Sequence, residues 1–395
     1  MISDKNAEKL IEIIEKADFE AYAVGGCVRD ALMGRKTNDY DITTSATPMQ
    51  TESVLLQNGI RFVETGIKHG TVSAIMDGSP YEITTFRTEC GYSDNRHPDK
   101  VEFVSSLRED LSRRDFTVNA MAYNSRCGLV DMFGGRQDLE NKTLRTVGSP
   151  DKRFGEDALR ILRALRFSST LDFDIEKETA LSISRNFRLI ENVANERITA
   201  EMLKLIEGTR FSQQLLNYPE LFAHIFDLKL EKFTKHAQIE AAEFVEKSPK
   251  NIVFILAFLQ KYKDTEKFDK NAPFGRLKLP AETVRRTLEL TESLNIDLPR
   301  TETELTLLLS KKGERLIFDL SDFKGDSEAR KITERIILEK RPYLVSHLEV
   351  TGKDVMQLGI TGKDVGNALS DALYAVITGK VQNTKRSIIE YIKAR

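Results

Sequence analysis

A glycine pair close to an arginine gives residues 25–30 the chemistry of an anion site. Gly25 and Gly26 carry no Cβ, so their backbone N–H groups can approach a phosphate closely. Arg29 adds a planar guanidinium whose fixed charge suits phosphate oxygens. A plain strand-to-helix turn would use the same glycines for tight packing, so this segment alone leaves both interpretations open.

Two aspartates follow, separated by one tyrosine. If Asp39 and Asp41 lie on a strand, both carboxylates point to one face and can hold Mg²⁺ against substrate phosphates. Glu82, in the β-like run YEITTFR, is a candidate third carboxylate if its strand lies beside the aspartates. Alternatively, it is a solvent-facing residue of an edge strand. A phosphate cradle beside a metal site indicates phosphoryl or nucleotidyl transfer.

Asp157 and Arg160 lie three residues apart on a helix predicted over 156–168. Such a pair is commonly a surface salt bridge worth roughly 0.2–1 kcal/mol. The alternative is a protein template for a nucleotide base. A carboxylate accepts from the exocyclic amine of cytosine or adenine, whereas uracil and guanine would present an acceptor to it. The pair would then admit CTP and ATP and reject UTP and GTP.

Arg163 and Arg166 continue the row from Arg160 at the same spacing. No acidic residue follows Asp157 on that helix face, so we expect the three guanidinium groups to repel one another unless an anion lies there. A triphosphate or the backbone of an RNA acceptor would serve.

The elements that must position these residues change character along the chain. Up to about residue 145 the pattern is mixed, and a turn signal at 78–80 predicts an antiparallel hairpin, so the sheet should be mixed. Strands are predicted at 20–25, 39–44 and in the runs RFVETGI, TVSAIMD and YEITTFR, with helices between the first two and at 48–58. Later helices are predicted at 156–168, 176–187, 195–207, 213–225, 236–246, 251–263, 281–293, 302–310, 326–340 and 367–377, with a loop or hinge at 265–275.

Composition limits the class of protein. The 395 residues suffice for two to four domains, and 30 % charged against 40 % hydrophobic residues is typical of a globular, helix-rich protein. The chain has no apolar run of transmembrane length, its N-terminus is not signal-like, and its three cysteines have no paired spacing. We therefore expect a cytoplasmic protein without membrane contact. The net charge of −2 requires any basic face for nucleic acid to be segregated.

The segment GG-x-VRD-x-L-x-GR, followed by D-x-D-x-x-T-x-A-x-P, resembles the signature of class II tRNA nucleotidyltransferases, the CCA-adding enzymes. These belong to the polymerase-beta-like nucleotidyltransferases and share a lineage with bacterial poly(A) polymerases. The matching residues are Gly25, Gly26, Val28, Arg29, Asp30, Leu32, Gly34, Arg35, Asp39, Asp41, Thr44, Ala46 and Pro48.

Further motifs extend the resemblance over residues 20–207, in the family's order. The four stretches are SRRDFTVNAMAY (112–123), VDMFGGRQDL (130–139), FGEDALRILRALRF (154–167) and ERITAEMLKLI (196–206). No His-Asp dipeptide occurs, so the HD phosphohydrolase domain of some relatives is expected to be absent. The polar loop at 86–100 is not shortened, which in this family favours full CCA addition over C addition alone.

The resemblance implies an α+β fold, in which a mixed-sheet nucleotidyltransferase head is followed by an all-helical neck, body and tail. The expected boundaries are 1–145, 146–207, 208–295 and 296–395. The implied reaction is template-independent addition of CCA to the 3′ end of tRNA from CTP and ATP. The expected partners are the acceptor and TΨC arms of tRNA, with no DNA. A poly(A) polymerase, a CC- or A-adding enzyme, or a non-catalytic RNA-binding protein on this scaffold are the alternatives.

The same resemblance assigns roles to residues. Asp39 and Asp41 are expected to be catalytic and to hold Mg²⁺, with Glu82 as a further catalytic carboxylate. The expected nucleotide-binding residues are Gly25, Gly26, Arg29, Arg114, Asp115, Asp157, Arg160, Arg163 and Arg166.

Overall fold

The computed structural model describes residues 4–37, 39–90, 100–248, 250–263 and 273–395. The chain folds into two compact units. The first comprises residues 1–242 and 264–278, and the second comprises residues 243–263 and 279–395. Among the helices of the described residues, none is both long and apolar enough to cross a bilayer.

The first unit opens with the predicted mixed sheet. The described strands are β1 Ala21–Val24, β2 Asp41–Thr44, β3 Arg61–Gly66, β4 Thr71–Met76, β5 Ser79–Thr85, β6 Arg87–Cys90, β7 Lys100–Phe103, β8 Met121–Asn124, β9 Gly128–Asp131, β10 Thr143–Leu144 and β11 Asp174–Ile175. Seven form one sheet in the order β3-β4-β5-β2-β1-β8-β9. Strands β2 and β5 are parallel, and the other neighbouring pairs of this sheet are antiparallel.

The predicted β4–β5 hairpin is confirmed, but its turn lies earlier than expected. Asp77 and Gly78 form it, with φ of +49° and +80°, and Ser79 already belongs to β5. Two consecutive positive φ values match the twist of flanking antiparallel strands, which is why Asp-Gly suits this position. The predicted loop at 86–100 is wrong for its first part, because Arg87–Cys90 forms β6 and pairs with β7. Residues 91–99 lie outside the described residues.

Helices surround this sheet and continue through the rest of the first unit, and the last of them, at 235–247, belongs to the second unit from residue 243 onward. They are α1 Lys5–Lys16, α2 Gly26–Leu32, α3 Pro48–Gln57, α4 Leu107–Ser112, α5 Gly135–Glu140, α6 Pro150–Glu156, α7 Leu159–Leu171, α8 Lys177–Asn186, α9 Asn195–Glu207, α10 Phe211–Asn217, α11 Pro219–Phe226 and α12 Lys235–Lys247. Leu10, Ile11 and Ile14 of α1 pack with Val54 and Leu55 of α3 in the apolar core against the sheet. Each such buried side chain stabilises the fold by roughly 1.5–3 kcal/mol.

Two predicted helices are each divided in the structure. The stretch 156–168 is not one helix, because α6 ends at Glu156 and α7 begins at Leu159. The stretch 213–225 is broken between α10 and α11 at Tyr218, the residue before Pro219, since proline disfavours helical backbone in the residue that precedes it.

The described part of the second unit is helical, as predicted. Its helices after α12 are α13 Ile252–Leu259, α14 Ala281–Ser293, α15 Glu302–Lys312, α16 Glu314–Lys324, α17 Ser327–Leu338, α18 Gly352–Met356, α19 Lys363–Ile377 and α20 Lys385–Lys393. One apolar core lies among α13 to α17 and a second around α18 to α20. The predicted loop at 265–275 falls largely on residues 264–272, which are outside the described residues. α16 was not predicted, although Leu316, Ile317 and Leu320 give it an apolar face.

Candidate active site

A pocket of about 580 Å³ in the first unit is lined by most of the residues that the sequence predicted to be functional. All nine predicted nucleotide-binding residues line it, and so does Asp41. Asp39 and Glu82 do not. The lining comprises Gly25, Gly26, Arg29, Asp41, His69, Arg87, Arg113, Arg114, Asp115, Asn119, Asp157, Arg160, Arg163, Arg166 and Phe167.

The glycine pair forms the turn from β1 into α2. Gly25 has φ of +76° and donates its N–H to the Met121 carbonyl at 3.3 Å. A Cβ on Gly25 would lie 2.9 Å from Nη1 of Arg114, closer than real Cβ atoms approach. The left-handed φ therefore favours glycine at position 25, and a larger residue there would also force the Arg114 guanidinium to move.

The three predicted catalytic carboxylates lie on three different segments of the chain: the segment before β2, the start of β2, and β5. β2 begins at Asp41, so the expectation that Asp39 shares a strand face with Asp41 is wrong. Asp39 lies in the segment before β2 and is exposed. Glu82 lies directly opposite Asp41 on the parallel strand β5. β5 lies between β4 and β2, so Glu82 is not on an edge strand.

Asp41 is exposed, yet the surrounding protein partly desolvates its carboxyl. This desolvation, with the nearby Asp39 and Glu82 carboxylates, raises the pKa of Asp41 against the opposing charge of Arg114. Within the described residues, no group of three or more His, Cys, Asp or Glu side chains is arranged to enclose a metal ion. The donor set instead suits a divalent cation that is held by one or two carboxylates and completed by substrate phosphates.

A buried chain of hydrogen bonds joins the glycine turn to helix α7. Arg29 donates to Asn119 Oδ1 at 2.6 Å, and Asn119 donates to Asp115 Oδ1 at 3.1 Å. The other oxygen of Asp115 accepts from Nε and Nη2 of Arg163 at 2.8 and 2.5 Å. Burial alone would raise the pKa of Asp115, but Arg163 and the bond from Asn119 lower it to about 2. Asp115 therefore stays ionised and fixes two arginines.

The predicted base-reading pair is held by other partners. Asp157 is not helical, with φ of −137°, since it lies in the break between α6 and α7. Its Oδ1 accepts from the Leu159 N–H at 3.1 Å and its Oδ2 from Nη2 of Arg197 at 3.1 Å. Arg160 donates to Glu156 at 2.8 Å and to the Arg113 carbonyl at 2.9 Å. Asp157 and Arg160 thus line one pocket without being a helical i,i+3 salt bridge.

The expectation that the arginine row lacks acidic partners is wrong, because the tertiary structure supplies them from other parts of the chain. Arg160 pairs with Glu156, and Arg163 pairs with Asp115. Arg166 pairs with Glu201 of α9 at 2.6 Å. None of these partners follows Asp157 on the helix face of the arginine row.

A buried carboxylate, that of Asp110, contacts both arginines of the motif SRRDFTVNAMAY. Asp110, at 0 % exposure, accepts from Nε and Nη2 of Arg113 at 3.1 and 2.8 Å. It also accepts from Thr43 of the strand that begins at Asp41, at 3.3 Å, and lies 3.5 Å from Nη2 of Arg114. Burial opposes ionisation, but Arg113 and Arg114 prevail and lower the pKa of Asp110.

Five lining residues were not among the predicted site residues. Arg113 and Asn119 lie inside the motif SRRDFTVNAMAY, and Phe167 ends the motif FGEDALRILRALRF, so their positions carried a signal. His69 and Arg87 had none. They reach the pocket through the fold, where Arg87 donates to the His69 carbonyl.

Comparison with known proteins agrees with this geometry. Residues 21–145 match the model of the poly A polymerase head domain, and residues 172–231 match the model named probable RNA and SrmB-binding site of polymerase A. The first match covers β1 to β10 and thus the strands and turns that carry Gly25, Asp41 and Arg114.

Full-length relatives give the family. The CCA-adding enzyme of Lactobacillus helveticus is 35 % identical, covering 98 % of this chain and 96 % of its own, and that of Bacillus subtilis is 33 % identical, covering 97 % and 96 %. The crystal structure of the Bacillus stearothermophilus CCA-adding enzyme in complex with CTP is 31 % identical, with a TM-score of 0.77 over 98 % of this chain and 96 % of that one. The α+β fold and the predicted resemblance are both confirmed: the chain belongs to the family of CCA-adding enzymes, the class II tRNA nucleotidyltransferases.

Proposed function

We propose that this protein adds C, C and A to the 3′ end of tRNA without a nucleic acid template, using CTP and ATP and releasing pyrophosphate. The observation that carries the proposal is the pocket in which Asp41, the glycine turn, the five predicted arginines and Asp157 meet. A triphosphate needs the arginines and glycines, and selection of a base needs a carboxylate such as Asp157. The CTP complex of the Bacillus stearothermophilus relative supports the same assignment.

In the proposed reaction, the 3′-hydroxyl of tRNA attacks the α-phosphorus of the nucleotide. The new P–O bond forms as the bond to pyrophosphate breaks. Asp39 and Asp41 would hold Mg²⁺, with Glu82 beside them. When bound, Mg²⁺ supplies Lewis acidity that favours the alkoxide form of the hydroxyl and offsets charge on the leaving group. Arg29, Arg114, Arg163 and Arg166 would bind the triphosphate or the acceptor backbone, and Asp115 would hold Arg163 in place.

For base selection, we infer that Asp157 accepts from the exocyclic amine of cytosine or adenine while Arg160 donates to the adjacent ring nitrogen. The tertiary contacts support this. Leu159 N–H and Arg197 hold the Asp157 carboxylate, and Glu156 and the Arg113 carbonyl hold the Arg160 guanidinium. Groups fixed in this way cannot rotate to accommodate a base with the opposite donor and acceptor pattern.

The remaining assignments follow from the family. We propose a head at 1–145, a neck at 146–207, a body at 208–295 and a tail at 296–395. The tail and body would contact the acceptor and TΨC arms of tRNA through phosphate and shape contacts. A Thermotoga maritima CCA-adding enzyme complexed with tRNA_CCA, 21 % identical and with a TM-score of 0.69, shares the fold over the full length of this chain. We place the protein in the cytoplasm, where tRNA and both nucleotides occur.

The decisive experiment incubates the purified full chain with Mg²⁺, tRNA lacking CCA and each nucleotide alone or in combination. We expect two C residues from CTP, one further A when ATP is added, and no addition from UTP or GTP. Product length is measured on a sequencing gel, and tRNA that already ends in CCA serves as the control acceptor.

Other outcomes would favour the other members of the lineage. Long A tails from ATP alone would identify a poly(A) polymerase. This alternative is worth testing because residues 21–145 match the poly A polymerase head domain. A stop after two C residues, with ATP present, would identify a CC-adding enzyme. Binding of tRNA without any addition would leave a non-catalytic RNA-binding protein.

A further inference from the structure

Phe167 lies among three guanidinium groups of the pocket. The guanidinium carbon of Arg166 is 3.8 Å from the ring centroid, that of Arg29 is 5.2 Å away and that of Arg163 is 5.3 Å away. Only 6 % of Phe167 is exposed, and Phe116 packs edge-on against it at 5.7 Å. The ring therefore connects the arginine after the glycine turn with both later arginines of helix α7.

Each of these arginines also has a polar anchor away from the ring. The anchors are Asn119 for Arg29, Asp115 for Arg163 and Glu201 for Arg166. A polar partner that accepts from its N–H groups and an aromatic ring beside its carbon together leave each guanidinium little freedom to rotate. The remaining N–H groups can then serve a ligand without a further loss of side-chain entropy.

Three like charges around one ring oppose one another. Burial lowers the pKa of Arg166, and the neighbouring charge of Arg163 lowers it further, against the attraction of Glu201. The face of an aromatic ring carries a negative quadrupole and attracts cations, most strongly where water is excluded. An aliphatic side chain of similar size would fill the space but would not offset this repulsion.

We propose that Phe167 is a positioning residue whose ring holds Arg29, Arg163 and Arg166 in one array that receives the nucleotide triphosphate. The proposal rests on the proposed function, since it takes the ligand of that array to be CTP or ATP. It assigns Phe167 no contact with the reacting atoms. Base choice should be independent of the ring, because Arg160 is held by Glu156 and the Arg113 carbonyl.

The test compares F167L, which removes the aromatic face, with F167Y, which keeps it. F222L is the matched control for a lost buried ring in the same unit, since Phe222 is 0 % exposed and packs against Phe211 and Phe226 rather than against arginines. The Kd of each variant for CTP is measured by equilibrium dialysis, independently of tRNA. KM and kcat for CTP and UTP are then measured on tRNA lacking CCA, and thermal melting reports folding.

We expect F167L to raise the Kd and KM for CTP about fivefold while the CTP to UTP preference stays unchanged. F167Y should restore both constants, and F222L should lower the melting temperature without changing them. A Kd in folded F167L equal to that of the wild type would overturn the proposal, as would an equal rise in F222L. If F167L does not fold, the proposal is tested by F167Y alone, and a Kd for CTP above the wild-type value in folded F167Y would overturn it. Wild-type protein that binds CTP but adds nothing to tRNA would overturn the proposed function alone.

Discussion

Asp115 accepts two hydrogen bonds from Arg163, at 2.8 and 2.5 Å, although 48 residues separate them in the chain. The pair joins the motif SRRDFTVNAMAY, which contains Asp115, to helix α7 inside the pocket. Since Asn119 carries the connection on to Arg29, one carboxylate orients arginines from two motifs.

This carboxylate predicts a pH dependence of stability. The pKa of Asp115 falls from its ordinary 3.8 to about 2 in the folded chain. A depressed folded pKa contributes stability that is fully present above the ordinary value and is lost as pH falls from about 4 towards 2. We expect D115N to lower the free energy of unfolding at pH 7 by roughly 1–3 kcal/mol, which is measured as a lower melting temperature. The difference from wild type should shrink as pH falls from about 4 towards 2. A difference that stays constant over this window would contradict the assigned pKa.

Asp41 predicts a separation of chemistry from binding. We expect D41A to reduce nucleotide addition by more than about 100-fold, because the proposed metal ligand on the pocket wall is lost. Binding of tRNA should be retained, since the proposed shape and phosphate contacts of the body and tail do not involve Asp41. Addition is measured by gel extension and binding by filter retention. E140Q, which removes an exposed carboxylate of α5, is the control. Retained activity in D41A would refute the metal assignment.

Asp157 predicts a change of nucleotide choice. Without its carboxylate, D157A should lose roughly 10- to 100-fold of the preference for CTP over UTP, measured as the ratio of kcat/KM values. The variant also removes the hydrogen bond to the Leu159 N–H and so destabilises the start of α7. D326A controls for this effect, because Asp326 accepts the Ala329 N–H at 3.1 Å in the other unit. Unchanged selectivity in folded D157A would rule out base reading by this residue.

Gly25 predicts a steric effect on Arg114. In G25A the new Cβ meets Nη1 of Arg114 at 2.9 Å, so the guanidinium must move. We expect the KM for CTP to rise several-fold, about 3- to 10-fold for the displacement of one charged hydrogen-bond donor. G362A is matched for backbone strain, since Gly362 directly precedes α19 with φ of +61° and ψ of −134°, close to the +76° and −129° of Gly25, and its Cβ would meet nothing within 4 Å. Both variants should lose stability. Equal KM values in the two would show that Arg114 does not depend on the space at Gly25.

Local sequence features predicted much of the fold and most of the pocket. The alternation in β4 and β5, the glycine pair and the apolar spacing of α14 each act within a few residues, so they are readable without tertiary contacts. The errors occur where one residue breaks a pattern. Asp157 leaves the helix because its side chain caps α7, and Tyr218 leaves it because a proline follows.

The sequence by itself determined the family and part of the local geometry: glycines at a strand-to-helix turn, a strand that includes Asp41, and motifs in a specific order. Only the tertiary structure decided which charges meet. Glu82 lies opposite Asp41 through parallel strand pairing, and Glu201 reaches Arg166 from another helix. Both contacts join residues 35 or more positions apart, whose meeting depends on packing of the whole core rather than on any local preference. For this reason the arginine row, expected to be unpaired, has a partner for every charge.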